Sequence, residues 1–517
     1  MTLEYALNRL GGSRIDGHQM GEYLSNPIGD KVNFKDLHEF IAFLEAEGEL
    51  VRITAPVSWD LEITEITTRT IANAGPALLF ENVTGSEYPV LINMYGTLKR
   101  MAMALGLTNL DELQDRIRSL IGMAQSGPPE TILAKMRALG DLVKLASYKP
   151  KLVSSAPCQE VVLTGDDVNL LDLPILKCWP LDAGRFITLP LVITQDPETG
   201  IRNVGTYRMQ VFDKNTTGMH WQTHKVGAHH ERMANLRNES KLEVAVALGA
   251  DPATIWTGSA PLPPSVDEFL MAGFIRSQPI ELVKAKTVNI EVPAHAEFIL
   301  EGYVTPGETR DEGPFGDHTG YYSLKEPYSV FHVTAITRRK SPVYPTVVVG
   351  KPVQEDYFMG KATERTFLPL IQLLLPEIRD INMPGEGIFH NLMIISIRKE
   401  FPGQAQKVMH AIWGLGLLML TKTIIVLDDF VDIQNPSEVA WRVTANINPK
   451  TDLLITQGPV DDLDYASAGE LRVGTKLGID ATHKIPGEPR SNDWPPEIDM
   501  TDDIKDLVTG KWEQYGI

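Results

Sequence analysis

The amino-acid sequence predicts a mixed α+β protein in three parts: a small N-terminal α/β unit, a central β-rich domain and a C-terminal α/β domain. Helical periodicity and short β runs share the first third of the chain, strand-like runs joined by turns fill the middle, and strands alternate with helices in the last third. At 517 residues the chain is too long for one hydrophobic core. We place the domains at 1–125, 126–345 and 346–517.

The N-terminal part begins with an amphipathic helix, whose apolar residues recur at helical spacing: Phe34, Leu37, Phe40, Ile41 and Leu44. Asn33 stands at the N-cap position and Gly48 just past the end. Two β runs follow, "LVRITAPV" (50–57) and "PVLINMYG" (89–96), with a helix between them. Helical periodicity returns from Ser126 to Lys149, which predicts a connector to the central domain.

The central part is rich in strands. The run "FITLPLVITQ" (186–195), the turn "DPETG" (196–200) and the run "IRNVGTYRMQVF" (201–212) predict a hairpin with turn residues at its tip. Further strand-like runs occupy 287–293, 298–304 and 330–338. Because so many strands lie in one stretch of chain, we expect a barrel here.

The last part alternates between strands and helices. Strands are predicted at 391–399, 422–431 and 451–458, with helices from about Gly403 and after Pro436. Such alternation indicates βαβ units and therefore a parallel sheet. A long helix between about Glu355 and Leu375 is expected to join this sheet to the central domain, with a kink or break at Pro369.

Composition limits the compartment and the partners. No stretch approaches the roughly 18 apolar residues of a membrane span, and "MTLEYALNRLGGSR" lacks the features of a signal peptide. The only cysteines, Cys158 and Cys178, cannot form a disulfide framework, which favours the cytosol. A net charge of −19 argues against nucleic acid as a partner.

The segment "RDEGPFGDHTGYY" (310–322) carries two acids, Glu312 and Asp317, separated by glycines and a proline that exclude a helix. Taken alone it fits a surface turn as well as an active site, because loops carry both. Asn203 and Arg208 lie five apart on one predicted strand, so a bend near Gly205 is needed to bring both to one pocket. Arg208 is a natural bidentate partner for a carboxylate such as Glu312.

Five motifs occur together and in order: "NVGTYR" (203–208), "PPSVDEF" (263–269), "VPAHAEFILEGYV" (292–304), "EGPFGDHTGYY" (312–322) and "VGTKLGIDATHK" (473–484). As an ordered set they resemble the UbiD family of reversible decarboxylases of aromatic and α,β-unsaturated acids. The loop "GDHTGYY" is most similar to the 4-hydroxy-3-polyprenylbenzoate decarboxylase branch. Ferulic acid decarboxylases have "GEMHGY" there instead, so the acid at 317 is one methylene shorter than in that pattern.

The resemblance implies a prenylated flavin mononucleotide, made by a partner flavin prenyltransferase and bound in a split β-barrel like that of flavin reductases. It implies that Asn203, His224 and Glu268 hold Mn²⁺ or Mg²⁺ against the cofactor phosphate, with K⁺ nearby. Their mostly hard donor atoms suit these ions better than zinc. Cofactor contacts are also implied for Arg208, Thr223, Ser259 and Lys476, the last of them near the phosphate.

The resemblance makes Arg208, Glu312 and Asp317 the catalytic residues. Decarboxylation leaves an electron pair that the modified flavin would accept, and a proton must then reach the same carbon. One carboxylate paired with arginine and a second one left free and neutral would have separate roles. We therefore expect Glu312 to pair with Arg208 and Asp317 to donate the proton, with Glu312 as the alternative donor.

The expected function is the non-oxidative, reversible decarboxylation of a hydroxylated benzoic-type acid by a cytosolic homo-oligomer, dimer or hexamer, with a role in ubiquinone biosynthesis. One alternative is a decarboxylase or carboxylase of a smaller phenolic, heteroaromatic or menaquinone-precursor acid. A flavin-binding protein without decarboxylase activity is a second alternative, although flavin storage would not require a proton donor.

Overall fold

A computed structural model describes residues 33–125, 146–262, 266–466, 472–489 and 495–517. The predicted connector helix at 126–149 therefore lies almost wholly outside the described residues. The predicted first helix is present as Leu37–Ala46. Asp36, and not Asn33, is its N-cap, because the Asp36 carboxylate accepts the backbone N–H of Glu39 at 3.0 Å.

The N-terminal part is a small sheet with helices around it. Its strands are β1 (Leu50–Ile53), β2 (Ala77–Phe80) and β3 (Val90–Ile92), and its helices are Leu37–Ala46, Glu62–Ala72, Leu98–Ala104 and Asp111–Gln125. The sheet order is β1-β2-β3, with β1 and β2 parallel and β2 and β3 antiparallel.

The described residues of the central part form thirteen short and long strands. They are β4 (Lys151–Leu152), β5 (Val161–Thr164), β6 (Phe186–Ile187), β7 (Leu191–Gln195), β8 (Arg202–Gly205), β9 (Met209–Gln210), β10 (Thr216–Met219), β11 (Leu242–Leu248), β12 (Glu281–Lys284), β13 (Glu291–Pro293), β14 (Phe298–Glu312), β15 (Glu326–Arg338) and β16 (Tyr344–Pro345). The helices are Val226–Leu236, Pro252–Thr257 and Glu268–Arg276. Strand β16 leaves this part and pairs with β3, as the fourth strand of the N-terminal sheet.

The main central sheet has the order β10-β15-β14-β11-β7-β8, with β5 beside β15. The predicted hairpin is confirmed as β7 and β8, with Val192 opposite Gly205 and Gln195 opposite Arg202. The expected barrel is not closed in the described residues, because the edge strands β10 and β8 do not pair with each other. The long strands β14 and β15 change register twice along their length, and the sheet bends without closing.

The central sheet is buried on both faces, which explains its continuous apolar runs. Leu191 and Ile193 of β7 belong to a core that includes Leu37 and Phe40 of the first helix. Val192, between them, points to a second core on the opposite face. Residues of the N-terminal part belong to both cores, so this part packs closely against the central sheet.

The C-terminal part is a five-stranded sheet of order β17-β18-β19-β21-β20. Its strands are β17 (Ile378–Asn382), β18 (Leu392–Ile397), β19 (Thr423–Asp428), β20 (Leu453–Pro459) and β21 (Val473–Asp480), with helices Glu355–Leu374, Gln404–Trp413, Pro436–Asn446 and Asp502–Thr509. The predicted parallel pairing is confirmed for β18 and β19, and β21 adds a third parallel strand. It is wrong for the predicted strand at 451–458, because this strand is β20 and runs antiparallel to β21. Strand β17 is also antiparallel to its neighbour. In the described ranges no helix combines the length and apolarity needed to cross a membrane.

A kink or a break was predicted at Pro369, and of these the break is wrong, because the long helix Glu355–Leu374 continues through the proline. Leu368 and Ile371, on either side of the proline, are buried in the C-terminal core, and this packing offsets the lost hydrogen bond. At the start of the helix the buried Glu355 carboxylate accepts the backbone N–H groups of Asn93 at 2.9 Å and Tyr95 at 3.0 Å. Burial raises the pKa of Glu355 to about 7. This one side chain ties the N-terminal sheet to the helix.

We expect Glu355→Ala to lower the unfolding temperature, because it leaves two buried N–H groups without acceptors, at a cost of about 1–3 kcal/mol for each. Glu355→Gln should fall between parent and alanine variant, since its amide oxygen still accepts. Calorimetry checks the order, with the exposed Glu47→Ala as the matched control. Equal unfolding temperatures for Glu355→Ala and Glu47→Ala would contradict this role.

Candidate active site

Arg208 brings the two predicted acids together. Strand β8 ends at Gly205, and Arg208 lies outside it, directly before β9. The bend expected near Gly205 is therefore the end of the strand. The guanidinium donates to Glu312 from Nε at 3.0 Å and from Nη2 at 3.3 Å, and Nη1 donates to Asp317. The contact between Arg208 and Glu312 that the sequence suggested is present in the structure.

Glu312, the last residue of β14, is fully buried. Besides Arg208 it contacts His220, whose Nδ1 lies 2.7 Å from Oε2. Burial would raise the pKa of Glu312, but the hydrogen bond with His220 and the charge of Arg208 together lower it. Burial and the charge of Arg208 lower the pKa of His220, which therefore donates as a neutral imidazole. The sequence analysis missed His220.

The loop after Glu312 is fixed in the protein interior, so the surface-turn alternative is wrong. The Gly313 N–H donates to Gln210 Oε1 at 2.8 Å, and the Gly316 N–H donates to Asp182 Oδ1 at 2.7 Å. A Cβ at Gly316 would collide with the ring of Trp179. Phe315, between the two glycines, is buried against Phe186. These contacts fix where the following acid points.

Asp317 is not the free acid that we expected. Its carboxylate is buried, contacts Arg208, and accepts from His318 through the backbone N–H at 2.7 Å and through Nδ1 at 2.8 Å. Burial would raise the pKa of Asp317, but the charge of Arg208 and the hydrogen bond with His318 hold it well below its usual range. The expectation of a neutral carboxyl is wrong because both neighbours are positively charged.

A second histidine extends this chain of contacts. His318 Nε2 lies 2.7 Å from Nε2 of His390, which lies in the short 3₁₀ helix Phe389–Asn391 that precedes β18 of the C-terminal sheet. Thr319 and Asn391, the residues that follow these two histidines, line a cavity of about 710 Å³. Ile388 and Leu392 give that cavity an apolar wall. Its size is in the range of sites for small organic ligands.

The predicted metal ligands lie on three neighbouring segments. Asn203 is on β8, His224 comes shortly before helix Val226–Leu236, and Glu268 opens helix Glu268–Arg276. The Glu268 carboxylate accepts the N–H of Val204, next to Asn203, at 3.0 Å. The Tyr207 hydroxyl lies 3.4 Å from both Asn203 Nδ2 and the Gly227 backbone N, which links β8 to the helix after His224.

These residues fit a divalent cation. His224 Nε2 is buried without a hydrogen-bond partner among the described atoms, and burial lowers the pKa of His224 to about 4. Burial raises the pKa of Glu268 to about 7, more than the backbone hydrogen bonds and the charge of Arg202 lower it. Among the described residues, no cluster of three or more His, Cys, Asp or Glu side chains has metal-binding geometry, so a metal here would also need the Asn203 amide.

The other predicted cofactor residues lie apart from the acids. Thr223 is exposed, and Ser259 is exposed with its hydroxyl donating to the Trp256 carbonyl at 2.7 Å. Lys476 is buried on β21, where its ammonium donates to the carbonyls of Met419 at 2.6 Å and Thr421 at 2.9 Å. Burial lowers the pKa of Lys476 to about 8.

The chain matches the sequence models of three domains of 3-octaprenyl-4-hydroxybenzoate carboxy-lyase. The N-terminal domain matches residues 41–120, the Rift-related domain matches 151–352, and the C-terminal domain matches 357–481. The chain is 49% identical over 482 residues to an uncharacterized protein of Archaeoglobus fulgidus, covering 93% of this chain and 98% of that one. It is 50% identical over 487 residues to an uncharacterized protein of Aquifex aeolicus, covering 94% and 99%.

Two solved structures have the same fold. Vanillic acid decarboxylase of Sedimentibacter hydroxybenzoicus, in its closed form, is 28% identical with a TM-score of 0.82, covering 94% of this chain and 100% of that one. The UbiD-class enzyme HmfF of Pelotomaculum thermopropionicum, in complex with FMN, is 29% identical with a TM-score of 0.74, covering 91% and 99%. An evolved dimeric form of HmfF is in complex with prenylated FMN. The chain therefore belongs to the UbiD family of decarboxylases.

Proposed function

We propose that this protein catalyses the reversible, non-oxidative decarboxylation of a hydroxylated benzoic-type acid, with prenylated FMN and a divalent metal. The buried group of Arg208, Glu312 and Asp317 is the observation that carries this proposal, and Thr319, two residues after Asp317, lines a ligand-sized cavity. Vanillic acid decarboxylase, which is similar over nearly the whole chain, supports the substrate class. The match to 3-octaprenyl-4-hydroxybenzoate carboxy-lyase supports a place in ubiquinone biosynthesis.

Asp317 is the better proton donor of the two acids. Both carboxylates are ionised at rest, so the donor must first receive a proton from a neighbour. The imidazole beside Glu312 is His220, which burial keeps neutral, whereas the pKa of His318, beside Asp317, is raised to about 9. Asp317 is thus in contact with a charged imidazolium that can give it a proton, and Glu312 is not. The task of Glu312 is to hold Arg208 in place.

The cofactor site would form around the predicted metal ligands. When bound, prenylated FMN supplies the electron sink that decarboxylation needs. Asn203, His224 and Glu268 would hold Mn²⁺ or Mg²⁺ against its phosphate, and the unpartnered Nε2 of His224 supports this. We propose that four further residues contact the cofactor and that a K⁺ ion lies nearby. These residues are Arg208, Thr223, Ser259 and Lys476.

We also propose a cytosolic homo-oligomer, dimer or hexamer, that depends on a flavin prenyltransferase for its cofactor. Two free, buried cysteines favour the cytosol. Large apolar side chains exposed in the C-terminal tail favour self-association: Ile498, Met500, Leu507, Trp512, Tyr515 and Ile517. We propose domain boundaries at 1–125, 126–345 and 346–517.

Protein produced together with a flavin prenyltransferase should release CO₂ from an aromatic acid, and protein produced without it should not. The reason is that none of the side chains in the site can itself accept the electron pair. The measurement is CO₂ release from a panel of hydroxybenzoic, prenylated hydroxybenzoic and heteroaromatic acids. Full activity without the prenyltransferase would contradict the cofactor assignment. Flavin binding without turnover of any acid would favour a flavin-binding protein without decarboxylase activity.

His224→Ala and Glu268→Ala should each lose metal and flavin together, because the phosphate charge is then left uncompensated. Elemental analysis and the flavin absorption spectrum of each purified variant check this. The matched control is His229→Ala, which removes an exposed imidazole five residues from His224. If either ligand variant kept both groups at the level of the control, the three residues would be wrongly assigned.

Asp317→Asn should keep flavin and metal but slow turnover by roughly 10² to 10⁴, the usual contribution of a general acid. It should also suppress exchange of solvent deuterium into the product. Glu312→Gln should disturb Arg208 and His220 as well as the chemistry. The matched control is Asp311→Asn, at an exposed acid that pairs with Lys325. If Asp317→Asn stayed within about tenfold of the parent while Glu312→Gln lost exchange with its flavin intact, the donor would be Glu312.

A further inference from the structure

The contact between His318 and His390 restricts where protons can lie. Two Nε2 atoms 2.7 Å apart must share one proton, because two N–H groups or two lone pairs facing each other would repel. His318 Nδ1 is hydrogen-bonded to the ionised Asp317, which can only accept, so Nδ1 carries a proton too. The remaining question is whether the shared proton belongs to His318 or to His390.

The surrounding charges assign the shared proton to His318. Asp317, Asp356 at the start of the long helix, and Asp461 face its imidazole. Burial would lower the pKa of His318, but the hydrogen bond and the charge of Asp317 raise it to about 9. His390 faces Lys225 and His318 itself as well as Asp461 and Asp317, and burial and the charge of His318 lower its pKa to about 4. At neutral pH a charged His318 therefore donates to a neutral His390.

We propose that His318 is the proton store of this active site, and that His390 holds it in the orientation in which it supplies Asp317. This inference rests on the proposed decarboxylase function. Both histidines act through Asp317 and are positioning residues. Because His390 accepts the Nε2 proton, the Nδ1 proton of His318 is the one that faces the carboxylate and can move.

The proton of the new C–H bond comes from His318 by way of Asp317. The bond between the substrate carbon and its carboxylate breaks, CO₂ leaves, and the electron pair of that bond becomes the new C–H bond. The Nδ1 proton of His318 moves to the ionised Asp317, and Asp317 then delivers it to the substrate carbon, which leaves Asp317 ionised and His318 neutral. A solvent proton then restores the imidazolium. The residues that follow the two histidines, Thr319 and Asn391, line the cavity of about 710 Å³, and we expect the solvent proton to arrive from that side.

The test compares three variants of the holoenzyme over a pH range. His318→Gln cannot hold a mobile proton and should slow turnover by roughly 10²-fold. The parent should lose activity as pH rises through about 9, where His318 deprotonates, and this basic limb should be absent from His318→Gln. His390→Leu removes the acceptor of the Nε2 proton, so its basic limb should move to lower pH. His390→Gln restores an acceptor oxygen and should return turnover to within about fivefold of the parent.

The matched control is His332→Gln. His332 is a partly buried histidine outside the site, and its Nε2 lies 2.9 Å from Oε2 of Glu308. The turnover of this variant and its dependence on pH should match those of the parent. Flavin and metal content, measured on every variant, should be unchanged. Nitrogen-15 NMR of histidine-labelled holoenzyme should show a charged His318 ring at pH 7. The His318 signals are assigned by their absence from the spectrum of His318→Gln. This measurement needs no substrate.

The outcomes separate the two proposals. A parent that decarboxylates no acid in the panel would overturn the proposed function. An active parent whose His318→Gln variant stays within about fivefold and keeps the basic limb would overturn the proton store alone. A neutral His318 at pH 7 by NMR would overturn it as well. If His390→Gln were as impaired as His390→Leu, the role of His390 as an acceptor would be wrong.

Discussion

The ion-pair group around Arg208 is the constraint on which the rest of the site depends. A buried guanidinium is tolerable only with carboxylates against it, and two buried carboxylates on one guanidinium leave an excess negative charge. The imidazolium of His318 compensates that charge, so two cations oppose two anions. His220, held neutral, completes the hydrogen bonds of Glu312 without adding charge. Removal of one member would therefore shift the protonation of the others.

The fold places these groups together from distant parts of the chain. Arg208 comes from the turn after β8, Glu312 from the end of β14, and His390 from the loop that enters the C-terminal sheet. The segment between Glu312 and Asp317 is held by Gln210 and Asp182, which accept its backbone N–H groups. The positions of the acids are thus set by two side chains, Gln210 and Asp182, that hold the backbone of the loop.

Local patterns in the sequence predicted the elements, and ordered motifs predicted the family and the contact between Arg208 and Glu312. They did not predict the open central sheet, because strand closure is decided by pairing between edges far apart in the chain. Local patterns also gave no sign that His230 is buried, with its Nδ1 2.9 Å from the Thr194 hydroxyl, because this burial depends on how its helix packs against β7. The ionised state of Asp317 depends on Arg208 and His318 together, and His390 carries no local signal at all. The motif residues whose cofactor roles rest on resemblance alone remain predictions.

The pairing of β16 with β3 has a consequence for the order in which the protein is made. Strand β3 lacks one of its two neighbours until Tyr344–Pro345 has been synthesised, more than 250 residues later. The N–H groups of Asn93 and Tyr95 lack their acceptor until Glu355 follows. During synthesis on the ribosome, one edge of the first sheet therefore remains unpaired until the end of the central domain has been made. The first sheet is completed only after the segments that carry Arg208, Glu312 and Asp317 have left the ribosome.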